Sequence, residues 1–253
     1  MTTDLIINAN PKSVFSEAIK TIRTNLACQA IDKEMKVILL TSPMSGDGKS
    51  FITANLAVAY AQEGKKVLVV DCDLRRGRQH EIFEVMNLTS GGYSNLILNY
   101  KDDIKLKKYI VETTNKNIDL LPTGPTPPNP VELLVSENNK KLMEQLRDKY
   151  DIILLDCPPV LGLSDTMIMT KYSDTNIVVV SNKKTKIESL DKAKKVFEKA
   201  NTKISGVIIN KASVKDNSYY SYYSNEYYGD GNKSKKKKKR KRWKICIHIS
   251  CME

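Results

Sequence analysis

A short glycine-bearing loop is the feature that most constrains how this chain can fold. Residues 42–50 read Ser-Pro-Met-Ser-Gly-Asp-Gly-Lys-Ser, follow the apolar run 37–40 and precede a helix-like segment at 51–62. A strand, a loop ending in Gly-Lys-Ser and a helix form the context of a phosphate-binding loop. Backbone N–H groups and the positive end of the helix then face phosphate oxygens. The pattern is incomplete, because Pro43 stands where the first glycine is usual, and Gly-Lys-Ser also occurs in ordinary strand-to-helix turns.

Two later apolar runs end in acidic residues. Residues 66–70 lead into Asp71 and Asp73, and residues 150–155 lead into Asp156. Continuous apolar strands alternating with helices indicate an α/β fold with a parallel sheet covered on both faces. Ligands bind outside the carboxyl ends of such strands. The three motifs therefore meet at one edge of the sheet and jointly predict a nucleotide site with a metal ion.

Length and composition limit the class of protein. A chain of 253 residues is long enough for one α/β domain. It has no run of about 18 apolar residues that could span a membrane. Its first residues lack the regions of a signal peptide, and the spacing of its five cysteines suggests neither disulfides nor a zinc site. We therefore expect a cytosolic protein.

The positive charge is concentrated at the end of the sequence. The net charge is +12, but residues 233–253 hold ten Lys or Arg and one acid, which leaves the rest at +3. We expect a polybasic disordered extension that is solubilising, contacts anionic lipid, or binds nucleic acid or another acidic polymer. Before it, six of the twelve tyrosines fall within ten residues, a pattern that is either low-complexity sequence or a set of phosphorylation acceptors.

The N-terminal region is expected to be a loose extended arm over residues 1–12, followed by an amphipathic helix at about 13–28. Glu17, Lys20 and Arg23 lie three residues apart on one face of that helix. The spacing alone favours a solvated row of charges with weak i,i+3 pairs.

Together these motifs resemble the bacterial tyrosine kinases, specifically the stand-alone cytosolic subunit of the capsule and exopolysaccharide type. The resemblance covers about residues 10–230. Its markers are the helix at 16–25, the loop at 46–50, the acidic strand ends at 69–76 and 155–159, the proline-rich segment at 121–134 and the tyrosine cluster. The Pro-Pro-Asn-Pro-x-Glu-Leu-Leu run and the tyrosines are the most specific of these.

The resemblance implies a fold, a division of the chain and a set of site residues. The fold is a P-loop NTPase of the deviant Walker (MinD/ParA-like) subgroup. The divisions are a kinase domain at 1–212, a tyrosine-rich tail at 213–232 and the polybasic extension at 233–253. By resemblance, the ATP-binding residues are Gly46, Asp47, Gly48, Lys49, Ser50, Phe51 and Asn210, with Asn210 near adenine; the Mg²⁺ residues are Ser50, Asp71 and Asp156; and the catalytic residues are Lys49, Asp71 and Asp73.

The resemblance also implies an activity and partners. The activity is ATP-dependent autophosphorylation in trans of Tyr219, Tyr220, Tyr222, Tyr223, Tyr227 and Tyr228, which would regulate polysaccharide synthesis and export. Glu17, Lys20 and Arg23 would join subunits into a ring, which reverses the interpretation from spacing alone. A separate membrane-anchored activator would recruit the kinase to the inner face of the membrane. Anionic lipid is a possible contact of the basic tail, and no specific nucleic acid is expected.

The sequence departs from the family pattern at several positions. Lys20 replaces an arginine and so loses its bidentate fork. Ser45 and Gly77 each stand where proline is usual, and the family gives no reason to expect residues beyond Asn232. The alternative function is a nucleotide-switched positioning ATPase that binds membrane or DNA; its relatives carry a signature lysine where this chain has Met44. A third possibility, an inactive scaffold, is disfavoured by the intact Lys49 and acidic residues.

Overall fold

The apolar runs of the sequence form the strands of one sheet. The computed structural model describes residues 5–30, 34–85, 91–182 and 184–212. The strands are β1 (Val37–Thr41), β2 (Val67–Asp71), β3 (Val111–Glu112), β4 (Ile118–Leu121), β5 (Ile152–Asp156), β6 (Thr175–Ser181) and β7 (Gly206–Asn210).

Helices connect most of these strands. They are α1 (Ile6–Ala9), α2 (Val14–Gln29), α3 (Lys49–Ala61), α4 (Gln79–Ile82), α5 (Tyr93–Leu98), α6 (Pro130–Val135), α7 (Glu137–Lys149), α8 (Asp165–Met169) and α9 (Ile187–Lys199), with 3₁₀ turns at Leu106–Lys108 and Thr170–Tyr172. Within the described part of the chain, none of these helices combines the length and apolar character needed to cross a membrane.

The sheet has the order β3-β4-β2-β5-β1-β6-β7. All neighbours run parallel except β3 and β4. In the register of β2 and β5, Asp71 lies opposite Asp156. Because β1 is the other neighbour of β5, the glycine-bearing loop and both acids meet at the carboxyl edge. The predicted α/β fold with a mostly parallel sheet is confirmed.

Alternating side chains of the strands divide the core into two layers. Ile38 and Leu40 of β1 pack with α2 and α3 on one face, and Val37 and Leu39 pack with α5 and α7 on the other. This follows from the period of two residues along a strand. Strands with helices on both faces must be apolar on both, which explains the continuous runs.

The predicted amphipathic helix at about 13–28 is α2. The Ser13 hydroxyl caps it by accepting a hydrogen bond of 3.1 Å from the backbone N–H of Ser16. Ile19, Ile22 and Leu26 are fully buried on its inner face. Phe15 packs against Phe51 of α3 with ring centroids 5.1 Å apart, so this helix fixes the orientation of the helix that follows the loop.

The prediction of a loose extended arm over residues 1–12 was wrong for the part that the structure describes. Residues Ile6–Ala9 form the helical turn α1, and Ile7 is fully buried. The backbone N–H of Ile7 donates a 3.3 Å hydrogen bond to Asn55 Oδ1 on α3. One turn is too short to give a periodic pattern, so only the tertiary contact reveals it.

Two other elements had no clear sequence signal. The short strand β3 pairs antiparallel with β4 at Val111 and Glu112, and α8 is a five-residue helix after β5. The tyrosine-rich tail and the polybasic extension lie outside the described residues, and the proposed domain boundary at 212 stays a prediction.

We expect Ile7→Ala to lower the free energy of unfolding by about 2 kcal/mol or more, because it removes a buried side chain that anchors α1. Urea denaturation followed by circular dichroism measures this. Asn8→Ala, which changes an exposed neighbour, should stay within about 0.5 kcal/mol of the parent. If Ile7→Ala and the parent had equal free energies of unfolding, the prediction of a loose extended arm would be favoured again.

Candidate active site

The loop between β1 and α3 requires its glycines. Gly46 and Gly48 have positive φ angles of +86° and +98°, a region that glycine enters without strain. A β-carbon at position 48 would also collide with the side-chain nitrogen of Asn210. The loop therefore turns sharply into the N-terminus of α3, and Lys49 is the first residue of that helix.

Neighbouring strand ends hold the loop in place. Asp47 is buried and accepts hydrogen bonds from the Thr185 hydroxyl at 2.8 Å and the Met44 backbone N–H at 3.2 Å. Its carbonyl oxygen accepts a 2.8 Å bond from the Asn210 side chain. Thr185, which follows β6, and Asn210, the last residue of β7, thus brace the loop that follows β1.

The Lys49 ammonium group lies among the oxygens that the sequence assigned to catalysis and metal binding. Its Nζ is 3.3 Å from Asp156 Oδ1, 3.6 Å from Asp73 Oδ2 and 3.4 Å from Ser50 Oγ. Burial alone would lower the pKa of Lys49, but the surrounding carboxylates raise it above its ordinary value. The lysine therefore stays charged and offsets the charge of the acids around it.

Asp71 and Asp156 form a buried acidic pair. Both are 0% exposed and occupy opposed positions on β2 and β5. The pKa of Asp71 is raised to about 8, mainly because the group is buried and secondly because the negative charge of Asp156 is close. Asp71 Oδ2 accepts a 2.9 Å hydrogen bond from the backbone N–H of Gln79. Such a pair favours occupation of the site by a cation.

Asp73 differs from this pair in its surroundings. It is 6% exposed, and its Oδ1 accepts a 3.0 Å hydrogen bond from the Arg76 backbone N–H. Its other oxygen faces Lys49. Asp73 is therefore the acid nearest to solvent and the one that an incoming hydroxyl group can reach most directly.

Sequence reasoning missed Gln79. Its side-chain nitrogen donates to Asp156 Oδ2 at 2.8 Å and to the Ser50 carbonyl at 3.0 Å. The residue is fully buried. No motif points to it, since its role depends on how the segment after β2 folds back over the sheet edge.

Two lysines beside the loop were also missed. Lys211 Nζ donates a 2.6 Å hydrogen bond to the Gly46 carbonyl, and Lys184 Nζ lies 3.0 Å from where a β-carbon on Gly46 would stand. The pKa of Lys211 is lowered, mainly by partial burial and secondly by the positive charge of the nearby Lys184. Both follow strands that end at the same edge, which is the signal that could have found them.

Asn210 lies against the loop, whereas the predicted oligomerisation residues of α2 lie apart from this cluster. Asn210 is buried, and its oxygen accepts from the Lys211 backbone N–H at 2.7 Å, so its contact with adenine stays a prediction. The charged residues of α2 are on another surface. Glu17 pairs with Lys20 at 2.8 Å, whereas Arg23 binds within the chain to Glu63 at 2.7 Å and to the Ala59 carbonyl at 2.8 Å.

The donor set fits a magnesium ion bound together with a nucleotide. Among the described residues, no group of three or more His, Cys, Asp or Glu side chains could by itself hold a metal ion. Mg²⁺ commonly binds one or two carboxylates, substrate phosphates and several waters. Gln79 Oε1 is buried at this site without a hydrogen-bond partner among the described residues, so the site contains a polar acceptor that no described protein group satisfies.

Comparison with known proteins places this geometry in context. A family model described as an AAA domain matches residues 35–209. The tyrosine-protein kinase YwqD of Bacillus subtilis is 37% identical over 223 residues, 88% of this chain and 92% of that protein. The kinase domain of the Escherichia coli tyrosine kinase ETK is 30% identical with a TM-score of 0.75, covering 83% of this chain and 82% of that one.

A more distant neighbour shares the fold. The septum site-determining protein MinD of Pyrococcus horikoshii, solved in complex with Mg-ADP, is 29% identical with a TM-score of 0.58. The match covers 70% of this chain and 71% of that chain. The predicted deviant Walker fold is therefore confirmed.

We expect Asp71→Asn to stabilise the metal-free protein while abolishing activity, because an amide is uncharged at every pH in the folded and unfolded states and still accepts the hydrogen bond from Gln79. Each kcal/mol gained raises the melting temperature by about 2–4 °C. Since the folded-state pKa of Asp71 is raised to about 8, its favourable contribution is complete below pH about 4 and is lost as the pH rises through about 8.

The stability gap between Asp71→Asn and the parent should therefore widen from pH 5 to pH 8 and level off above it. Thermal melts in EDTA across this range measure the gap. A gap that stays constant with pH would contradict the assignment of a raised pKa to Asp71.

Proposed function

The chain belongs to the bacterial tyrosine kinases, and from this premise we propose that it transfers the terminal phosphate of ATP to tyrosines of its own C-terminal cluster. The observation that carries the proposal is the convergence of Lys49, Ser50 and three aspartates at one end of the sheet. The proposed acceptors are Tyr219, Tyr220, Tyr222, Tyr223, Tyr227 and Tyr228.

Lys49 is the residue proposed to bind the terminal phosphates. Its ammonium group now contacts Asp156 and Asp73, and a side chain with a flexible four-carbon stem can turn toward a phosphate at the helix N-terminus. Backbone N–H groups of residues 46–51 add donors for the other phosphate oxygens. Positioning and charge stabilisation of this kind supply most of the catalysis in phosphoryl transfer.

Ser50, Asp71 and Asp156 are the residues proposed to hold Mg²⁺ beside the nucleotide. When bound, the ion supplies positive charge to the phosphate oxygens during transfer. The burial of both aspartates excludes bulk water from their oxygens, which strengthens their attraction for a cation. The hydrogen bonds from Gln79 keep the Asp156 and Asp71 carboxylates oriented toward the loop.

Asp73 is the residue proposed to orient the tyrosine hydroxyl. A tyrosine hydroxyl has a pKa near 10, so it attacks poorly unless a group accepts its proton as transfer proceeds. Asp73 combines contact with Lys49 and the greatest exposure among the three acids. Asp73 therefore lies between Lys49, which is proposed to bind the phosphates, and the solvent side from which the tyrosine hydroxyl would enter.

The wider setting of the reaction follows from the family. We propose that copies of the chain assemble through α2 into a ring, in which the tail of one copy enters the site of the next. A membrane-anchored activator would recruit the kinase to the inner face of the membrane, where it would regulate capsular or exopolysaccharide synthesis and export. Phosphates added beside the basic run would weaken both the ring and any contact with anionic lipid.

The primary test is the intact mass of the purified chain after incubation with Mg-ATP, with and without the cytosolic segment of a candidate membrane partner. We expect a ladder of up to six phosphates in the parent. Lys49→Met should lose the ladder because it lacks the phosphate-binding charge, and a variant with the six clustered tyrosines changed to Phe should lose it because the acceptors are gone. ATP hydrolysis without a ladder would favour the positioning ATPase.

A mixture of these two variants tests transfer between copies. Lys49→Met retains the acceptor tyrosines, and the six-Phe variant retains the catalytic residues, so phosphate on the Lys49→Met chain requires transfer in trans. An unmodified Lys49→Met chain, beside a parent that forms the ladder alone, would show that transfer occurs within one copy.

We expect Glu17→Lys to shift the protein toward monomer in light scattering and to lower phosphorylation in trans. Glu17 forms a partly exposed i,i+3 pair with Lys20, which is worth about 0.2–0.5 kcal/mol within one copy, so the fold should persist. Asp102→Lys reverses an acid in another exposed pair, with Lys141, and is the matched control. Equal effects of the two changes would contradict a role for α2 in assembly.

A further inference from the structure

Gln79 makes contacts that join three segments of the site. It is the first residue of α4 and is fully buried. Its side-chain NH₂ donates to Asp156 Oδ2 at 2.8 Å and to the Ser50 carbonyl at 3.0 Å, and its backbone N–H donates to Asp71 Oδ2 at 2.9 Å. One residue thus binds both acids of the buried pair and the first turn of α3.

The orientation of the Gln79 amide is fixed by its partners. Asp156 Oδ2 and the Ser50 carbonyl are both acceptors, so the nitrogen must face them and both of its N–H bonds are used. The amide oxygen therefore points the other way. It is buried and has no hydrogen-bond partner among the described residues.

An orphan oxygen of this kind is costly. Leaving a buried acceptor unsatisfied costs about 1–3 kcal/mol, whereas an apolar side chain of the same shape would avoid the cost. The amide group of Gln79 is therefore not explained by packing alone. The backbone just before it also runs unusually close to the site, since a β-carbon on Gly77 would stand 2.6 Å from Asp71 Oδ2.

We propose that Gln79 is a positioning residue whose side-chain NH₂ orients Asp156 for the metal, while its backbone N–H orients Asp71. This inference rests on the nucleotide and Mg²⁺ site proposed above. Groups that support metal ligands by hydrogen bonds commonly affect metal affinity or activity by about 10–100-fold when they are changed. None of the hydrogen bonds of Gln79 given above involves Lys49 or the Asp73 carboxylate.

The test compares Gln79→Met with the parent by binding of ADP carrying an N-methylanthraniloyl fluorophore. Affinity is measured in EDTA and across a series of Mg²⁺ concentrations. We expect the Mg²⁺ concentration that gives half of the gain in affinity to rise about 10–100-fold in the variant. Affinity in EDTA should be unchanged, because the loop that binds phosphate remains intact.

Gln145→Met is the matched control. Gln145 also has a buried side-chain oxygen without a partner, but it lies near the end of α7, which leads into the opposite edge of the sheet. This variant should keep the Mg²⁺ dependence of the parent. If Gln79→Met does not fold, Gln79→Asn is measured instead; it keeps the amide but is one methylene too short for the same contacts, and it should show the same shift.

Three results would overturn the inference. A Gln79 variant with the Mg²⁺ dependence of the parent would remove the link to the metal. A variant that loses affinity equally in EDTA and in Mg²⁺ would show a purely structural role. If the affinity of the parent for ADP does not depend on Mg²⁺, the metal site itself is rejected, and the assignment of Gln79 fails with it. This outcome differs from a failure of Gln79 alone, in which the parent depends on Mg²⁺ and the variant behaves like the parent.

Discussion

The structure of the site depends on the burial of two carboxylates at opposed positions of adjacent strands. Asp71 and Asp156 are both shielded from water and occupy opposed positions on adjacent strands. Two like charges placed in this way repel strongly in a medium of low polarity. In the free chain the repulsion is offset in two ways. The ammonium group of Lys49 lies beside them, and the pKa of Asp71 is raised so that this acid is largely protonated near neutral pH. Stability and function are therefore in conflict here, as the arrangement that attracts a cation is unfavourable without one.

The bracing of the loop and the bracing of the acids serve different purposes. Asp47 and Asn210 tie the loop to the ends of β6 and β7, which keeps its backbone N–H groups in place without any ligand. Gln79 ties the acids to the start of α3. A site preorganised from both sides spends less of the binding energy of its substrate on ordering the protein. Asp73 is held by a backbone hydrogen bond from Arg76 and by Lys49, and as the most exposed of the three acids it is the one proposed to meet a hydroxyl group.

Much of this could be predicted from the sequence, because the signals are local. Apolar runs predicted β1, β2 and β5, and the acids after them needed only the parallel order of the strands to meet. The rest depends on residues far apart in the chain. Gln79 contacts Asp156, which lies 77 positions away, and Arg23 binds the Ala59 carbonyl, 36 positions away. The periodicity of apolar residues along the sequence does not predict contacts between such distant residues. The turn at Ile7 was missed for the same reason, since burial of Ile7 in the core and its contact with Asn55 hold it.

The position of Lys49 has a consequence for how ligands bind. If Lys49 binds the nucleotide as proposed, its ammonium group cannot neutralise Asp156 and at the same time contact a phosphate beyond its present reach, so it must release the acids. That release leaves the buried Asp156 and its neighbour Asp71 without the ammonium group, and a second cation can then take over the neutralisation. Nucleotide and metal are thus expected to bind with positive coupling, each raising the affinity for the other by the same factor. The coupling arises from the charges of Lys49, Asp71, Asp73 and Asp156, and the ion pair between Lys49 and Asp156 links nucleotide binding to metal binding.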